Sequence, residues 1–265
     1  MYDSLFDERC PSFTGILAGI SKGECWVNND ENAILAVTYS YCVGGYCILV
    51  NKEMLSDEKM IKEELKKLIY ENVLPDIKRK NFCEFEFSAE DEIINKLMME
   101  LVGDKNLFSE LEYSYRTNKK VIEESHLAES YHILSVDQCI IDNARKQLYK
   151  NSDMLLNRLE NSWGSDKDFL NYSYANLVLH NVEIVGICFG SSRFKDYIVV
   201  DIETHIEHQS KGIATYMASD FVNSCIKKGM TVQWDCVDSN IASKALASRG
   251  GFKQFKVRPF YWFEI

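Results

Sequence analysis

The stretch from Tyr197 to Gly229 limits the fold of this chain more than any other. Residues 197–205, Tyr-Ile-Val-Val-Asp-Ile-Glu-Thr-His, are β-branched and alternating, which predicts a strand. Gln209-Ser210-Lys211-Gly212-Ile213-Ala214 follows, and apolar residues then recur at Ile213, Met217, Phe221, Cys225 and Ile226. That spacing predicts an amphipathic helix, closed by Lys227-Lys228-Gly229 with bases in the last turn and a glycine beyond it. A strand entering a helix through a short glycine-bearing loop builds an anion site. The first helix amides have no intrahelical partner, and the helix dipole adds positive potential. Gly212 and Ala214 leave the backbone open to a phosphate, and Lys211 adds charge. The loop is neither a Walker sequence nor a G-x-G-x-x-G fingerprint.

The flanking sequence reads as further strands and helices. Upstream, residues 132–136 predict a strand, and Ser135 with Gln138 predicts a capping box for a helix through Tyr149. Residues 154–159 predict a second helix, and residues 173–180 and 183–191 two strands. Trp163-Gly164-Ser165 before Asp166 reads as a helix start. In the first half, Ile61, Leu65, Leu68, Ile69 and Val73 form a helical stripe expected to end at Pro75. Residues 82–87 alternate as a strand, Ser88 with Asp91 resembles a capping box for a helix through Leu101, and Leu111, Tyr113 and Tyr115 alternate again. The aromatics Tyr39, Tyr41, Tyr46, Phe85 and Phe87 are expected to be strand core. Polar residues around Thr117-Asn118-Lys119-Lys120 and Glu123-Glu124-Ser125 mark a linker. The expectation is an α+β chain of mixed α/β character: a small α+β domain over residues 1–120 and a second domain over residues 130–265.

Composition narrows the classes. The chain has 265 residues, with 40 acids against 30 bases and a net charge of −10. An acidic body argues against a nucleic-acid binder, whose affinity comes largely from neutralising phosphates. No low-complexity tract or fixed-period repeat is visible. Nine cysteines include no C-x-x-C pair, and with no leader-like N-terminus they read as reduced thiols of a cytoplasmic protein. Residues 33–50 are uncharged over nearly a membrane-spanning length, yet Gly44-Gly45 at their centre predicts a buried hairpin instead. His126, His132, His180, His205 and His208 form no H-x-x-x-H pair, so no metal is expected.

Gln209-x-x-Gly212-x-Ala214 resembles the coenzyme A-binding signature, Q/R-x-x-G-x-G/A, of the GNAT acetyltransferase superfamily. The resemblance extends through the strand containing Trp234 and Cys236, Asn240 and Ser243, to Gly251-Phe252, and covers residues 130–265. Together with Ile202-Glu203-Thr204, it is similar to a bacterial GNAT branch carrying an extra N-terminal domain. It implies a central mixed sheet flanked by helices, with acetyl-coenzyme A as cosubstrate. The pyrophosphate would lie on the amides of Gln209, Ser210, Lys211, Gly212, Ile213 and Ala214. Ile202 and Thr204 would line the pantetheine arm, with Asn240 and Ser243 beside it and Lys244 and Arg249 as added charge.

The implied reaction is direct attack of an amine on the thioester. A free alkylamine has a pKa of about 10.4, so a group must accept its proton. Asp201, Glu203 and His205 share one strand face, opposite Ile202 and Thr204, and Glu203 is the first choice as base with His205 as another. Earlier positions that often carry the base in this superfamily hold Ile198 and Val200, and the usual acid tyrosine is replaced by Ala247. Tyr261 is the remaining candidate acid. The expected acceptor is a primary amine on a small molecule, possible antibiotics included, with a peptide or protein amine as rival. A non-catalytic acyl-coenzyme A-binding module is the reading from another class. No nucleic acid or membrane partner is expected.

Overall fold

The computed structural model describes residues 2–103, 105–121 and 127–265. Glu123, Glu124 and Ser125 of the expected linker, and His126, lie outside the described residues. The chain runs α1 (Pro11–Leu17), β1 (Gly23–Val27), β2 (Leu35–Ser40), β3 (Gly45–Val50), α2 (Glu58–Lys67), α3 (Leu74–Arg79), β4 (Glu84–Ala89), α4 (Glu92–Leu101) and β5 (Phe108–Thr117). It continues with β6 (Tyr131–Ser135), α5 (Gln138–Arg145), α6 (Asp153–Ser162), α7 (Asp166–Tyr172), β7 (Ala175–His180), β8 (Glu183–Phe194) and β9 (Tyr197–Thr204). Last come α8 (Ile213–Lys227), β10 (Thr231–Val237), α9 (Ile241–Arg249) and β11 (Lys253–Glu264). Two compact units result, residues 1–112 with 258–265, and residues 113–257. Among the described residues no helix is long and apolar enough to cross a membrane.

In the first unit the strand order is β1-β2-β3-β4-β11, antiparallel except for the parallel pair β3 and β4. The uncharged stretch is the β2–β3 hairpin, and both of its faces are covered. Ala36, Cys47 and Leu49 pack with Leu5, Phe13 and Leu17, while Leu35, Val37, Tyr46 and Ile48 join Ile61, Leu65, Ile77, Phe85 and Phe87 on the other side. A strand buried on both faces has no position left for a charge.

Three local expectations fail for identifiable reasons. Pro75 does not end its helix. A π-helical turn over Leu68–Val73 separates α2 from α3, and Pro75 sits in the first turn of α3, where its missing N–H is tolerated. The Ser88–Asp91 box does not form: Ser88 stays in β4 and its Oγ donates to the Tyr46 carbonyl, while Asp91 caps α4 without a side-chain hydrogen bond. Nor does Ser135 cap α5. Asp137 does, its Oδ1 accepting from the Ile140 amide at 2.9 Å, and the helix stops at Arg145 rather than Tyr149.

The second unit has strand order β5-β10-β9-β8-β7-β6. β7, β8 and β9 are antiparallel, and α8 returns the chain so that β10 runs parallel to β9. Its core gathers Val185, Ile198, Met217, Phe221, Cys225, Val232, Trp234 and Phe252. The Asp166 helix start is as expected, with Ser165 capping α7 through the Asp168 amide.

The two units share a path that no sequence period announces. In each, antiparallel strands lead through a helical crossover to a parallel strand and then a further helix: β1-β2-β3, α2 with α3, β4, α4 and β7-β8-β9, α8, β10, α9. The strand beside β4 comes from residues after α9, and the strand beside β10 from residues after α4. Phe263 of β11, 1% exposed, meets Phe85 edge to face at 5.7 Å in the first-unit core. Phe263→Ala should therefore destabilise that unit by roughly 3–5 kcal/mol, read as an earlier urea transition. An unmoved transition would show that β11 is dispensable there.

Candidate active site

The site is built where two parallel strands part. β9 and β10 pair over Tyr197–Val199 and Thr231–Gln233 only, while β9 stays paired with β8 along its other edge as far as Thr204. Past Val199, the edge of β9 that faces β10 has no strand partner among the described residues. Its backbone N–H and C=O groups need one, and an extended ligand carrying amides can supply it as an added strand would.

A cavity of about 690 Å³ occupies this opening. Ile202, Glu203 and Thr204 line it from β9, Trp234 from β10, Ser210, Gly212, Ile213, Ala214 and Thr215 from the loop and α8, and Asn240, Ser243 and Arg249 from α9 and its cap. The Thr204 hydroxyl is buried with no hydrogen-bond partner among the described residues, as expected of a group that meets a polar ligand.

The loop has the form an anion site requires. Ser210 and Gly212 both adopt positive φ, +61° and +80°, and Gly212 is the N-cap of α8 with no side chain capping it. The first amide of the helix to bond back is that of Tyr216, to the Gly212 carbonyl at 3.0 Å. The amides of Ile213, Ala214 and Thr215 are thus the uncapped helix donors. A Cβ on Gly212 would meet nothing within 4 Å, so the glycine is needed for its backbone conformation.

Several of the expected cofactor-contact residues also hold the frame of the site through their side chains, and Gln209, Asn240 and Ser243 line the cavity. Gln209 Nε2 donates to the Thr204 carbonyl at 3.1 Å, and Lys211 Nζ to the Glu207 carbonyl at 2.9 Å. Both side chains tie the loop to the strand end, and Lys211 is not among the lining residues. Asn240 Oδ1 accepts from the Ser243 amide at 3.0 Å, and Ser243 Oγ accepts from Trp234 Nε1 at 2.8 Å. Lys244 is paired with Asp238 at 2.6 Å; Arg249 is the α9 cation that lines the cavity.

In the first unit the corresponding turn is different. Asn51 accepts from the Glu53 amide, Asp57 caps α2 through the Met60 amide, and Glu58 adds a negative charge to the first turn. This helix start has a side-chain cap and a first-turn carboxylate, both unfavourable to an anion.

A family model described as GNAT acetyltransferase matches residues 3–261. The chain belongs to that family. Among solved structures, a GCN5-related N-acetyltransferase-like protein from Streptococcus suis has a TM-score of 0.61 at 16% identity, covering 92% of this chain and 88% of that one. A tandem GNAT protein from the clavulanic acid biosynthesis pathway has a TM-score of 0.59 at 10% identity, covering 95% and 86%. At these identities the likeness is one of fold. A curated relative, the uncharacterized N-acetyltransferase YdfB of Bacillus subtilis, is 30% identical over 103 residues, which is 39% of this chain and 40% of the relative.

The catalytic candidates separate within this GNAT framework. Glu203 lines the cavity, but its Oε2 lies 2.9 Å from Arg158 Nη2, and Asp201 Oδ2 lies 2.7 Å from Arg158 Nε. Arg158, on α6, is 18% exposed; burial works against its charge, and the two carboxylates outweigh that and hold it protonated. Ala247 is fully buried in the core, so α9 supplies no acid there. Tyr261 is not among the lining residues; it stacks on Phe87 at 5.6 Å and packs against the first-unit core, where burial raises its pKa. His205 is not a lining residue. His208 is one, although only its spacing to other histidines was considered in the sequence. It bonds through Nδ1 to the Tyr131 hydroxyl at 3.0 Å, and burial, Lys211 and His180 together lower its pKa. Arg158 could not have been found from local sequence either, since it lies on a helix more than 40 residues before its partners.

Because Gly212 is required for its φ, Gly212→Ala should lose about 1–2 kcal/mol of second-unit stability without a steric clash. Gly212→Asn should lose less, since asparagine tolerates that region. Equal denaturation midpoints for all three proteins would remove the conformational argument.

Proposed function

We propose that this chain transfers an acetyl group from acetyl-coenzyme A to a primary amine on a small molecule. The observation that carries this reading is the opened edge of β9 running into the uncapped start of α8. The first suits an extended amide-bearing arm and the second a diphosphate, 690 Å³ is room for both, and this pairing of features belongs to one ligand class.

Acetyl-coenzyme A supplies a reactive thioester whose thiolate, with a parent thiol pKa of about 8.5, leaves without help from an acid. That suits a site in which Ala247 stands at the acid position. The amides of Ile213 and Ala214 hold the diphosphate, Arg249 adds charge on an acidic body, and the main chain of β9 orients the arm. Glu203 receives the proton released by the attacking amine, directly or through water. In doing so it gives up its bond to Arg158, which Asp201 continues to hold. The first unit, whose corresponding helix start is capped and acidic, is assigned to acceptor choice rather than to a second coenzyme. The expected acceptors include aminated antibiotics, with peptide amines as the rival substrates.

The buried methyl of Ala247 and the ion-paired Glu203 also favour a second reading, a module that binds acyl-coenzyme A without turning it over. Thiol release from acetyl-coenzyme A over a panel of small-molecule and peptide amines decides between them. Gly212→Glu should abolish coenzyme A binding by calorimetry, because a carboxylate is placed at the phosphate position; retained affinity would refute the loop assignment. Glu203→Gln should slow acetyl transfer about a hundredfold while leaving coenzyme A affinity unchanged. An unchanged rate at neutral pH would remove Glu203 as the base.

A further inference from the structure

Between the end of β9 and the phosphate loop, Ile206–His208 form a single 3₁₀ turn. This turn gathers His205, Glu207 and His208, so that one donor atom from each lies within 4.8 Å of the others. Their H-x-E-H order has no periodic signature in the sequence; the tight turn is what brings the side chains together.

Two further observations point to a ligand at this cluster. His205 Nδ1 is buried and has no hydrogen-bond partner among the described residues, an arrangement that native structures rarely leave unmatched. His208 is already oriented by a second group, with Nδ1 3.0 Å from the Tyr131 hydroxyl. With that nitrogen donating to the phenol oxygen, Nε2 keeps its lone pair for a metal, the usual outer arrangement of a metal-binding histidine. The ring is also packed by Tyr131 and by His180, with centroids 5.7 Å and 5.2 Å away. Glu207 is exposed and closes the set with a carboxylate.

We infer that His205, Glu207 and His208 bind one divalent transition-metal ion of the zinc class at the exit of β9. Two imidazoles and one carboxylate suit such an ion and leave a fourth position for water or an oxygen anion. Lys211, whose ammonium sits on the Glu207 carbonyl, opposes the cation, and the carboxylates of Glu207 and Glu183 offset it. The site goes beyond the acyl-transfer reading and does not depend on it.

The full chain, stripped by a chelator, is titrated with zinc by calorimetry and with cobalt(II) by visible absorption, both without coenzyme A. The expected result is one equivalent bound, with cobalt d–d bands and no thiolate charge-transfer band. His205→Ala and, separately, Glu207→Gln should each weaken zinc binding about tenfold or more. Glu207 is exposed, so its substitution does not threaten the fold, and circular dichroism checks both variants. No stoichiometric uptake would overturn the inference. So would a thiolate band, which assigns the metal to exposed Cys25, Cys83 or Cys139, or unchanged affinity in folded variants.

Discussion

A β-strand with one edge paired and the other bare is the constraint on which the second unit depends. β9 is held by β8 along its whole length and by β10 over only three positions. The bare backbone groups are tolerable only where water or a ligand can reach them, so the opening has to remain a cavity. Everything near it keeps the strands apart or finishes their ends. Trp234 is pinned by Ser243, Asn240 starts α9, and Gln209 ties the loop to the last residue of β9. Gln209, Asn240 and Ser243 line the cavity and at the same time brace its frame.

The reach of each contact along the chain explains which parts of the site were legible in the sequence. Gly212 and the helix start were, because a left-handed glycine and an uncapped helix are local properties that leave local marks. The β-branched run located β9, and the Gly44-Gly45 pair marked the turn of the uncharged hairpin, whose two faces are both covered. The Arg158 clamp on Asp201 and Glu203 left no mark, since it joins a helix to a strand through tertiary packing. The packing of Tyr261 on Phe87 and the first-unit core left no local mark for the same reason. Local capping rules failed at Ser88 and Ser135, where strand pairing claimed the serine and an aspartate nearer the helix took its place or left the cap unbonded.

The repeated path of the two units shows how little of a fold's chemistry resides in its topology. Both deliver helical chain between parallel strands, but one helix begins with Gly212 and no side-chain cap, the other with an Asp57 cap and Glu58. The first presents uncapped amides and the second a negative charge at the helix start, opposite electrostatics on one topology. Hydrophobic pattern is what the units have in common, and polar loop residues are what distinguish them. A search for a fixed sequence period has nothing to find under those conditions.

The strand beside β4 has a consequence for biosynthesis. Its residues leave the ribosome after the whole of the second unit, so the half of the polypeptide made first is the half whose sheet closes last. Until then β4 offers a row of free amides and carbonyls flanked by Phe85 and Phe87, an invitation to any other extended chain nearby. That edge is covered only once residues 260–264 pair with β4.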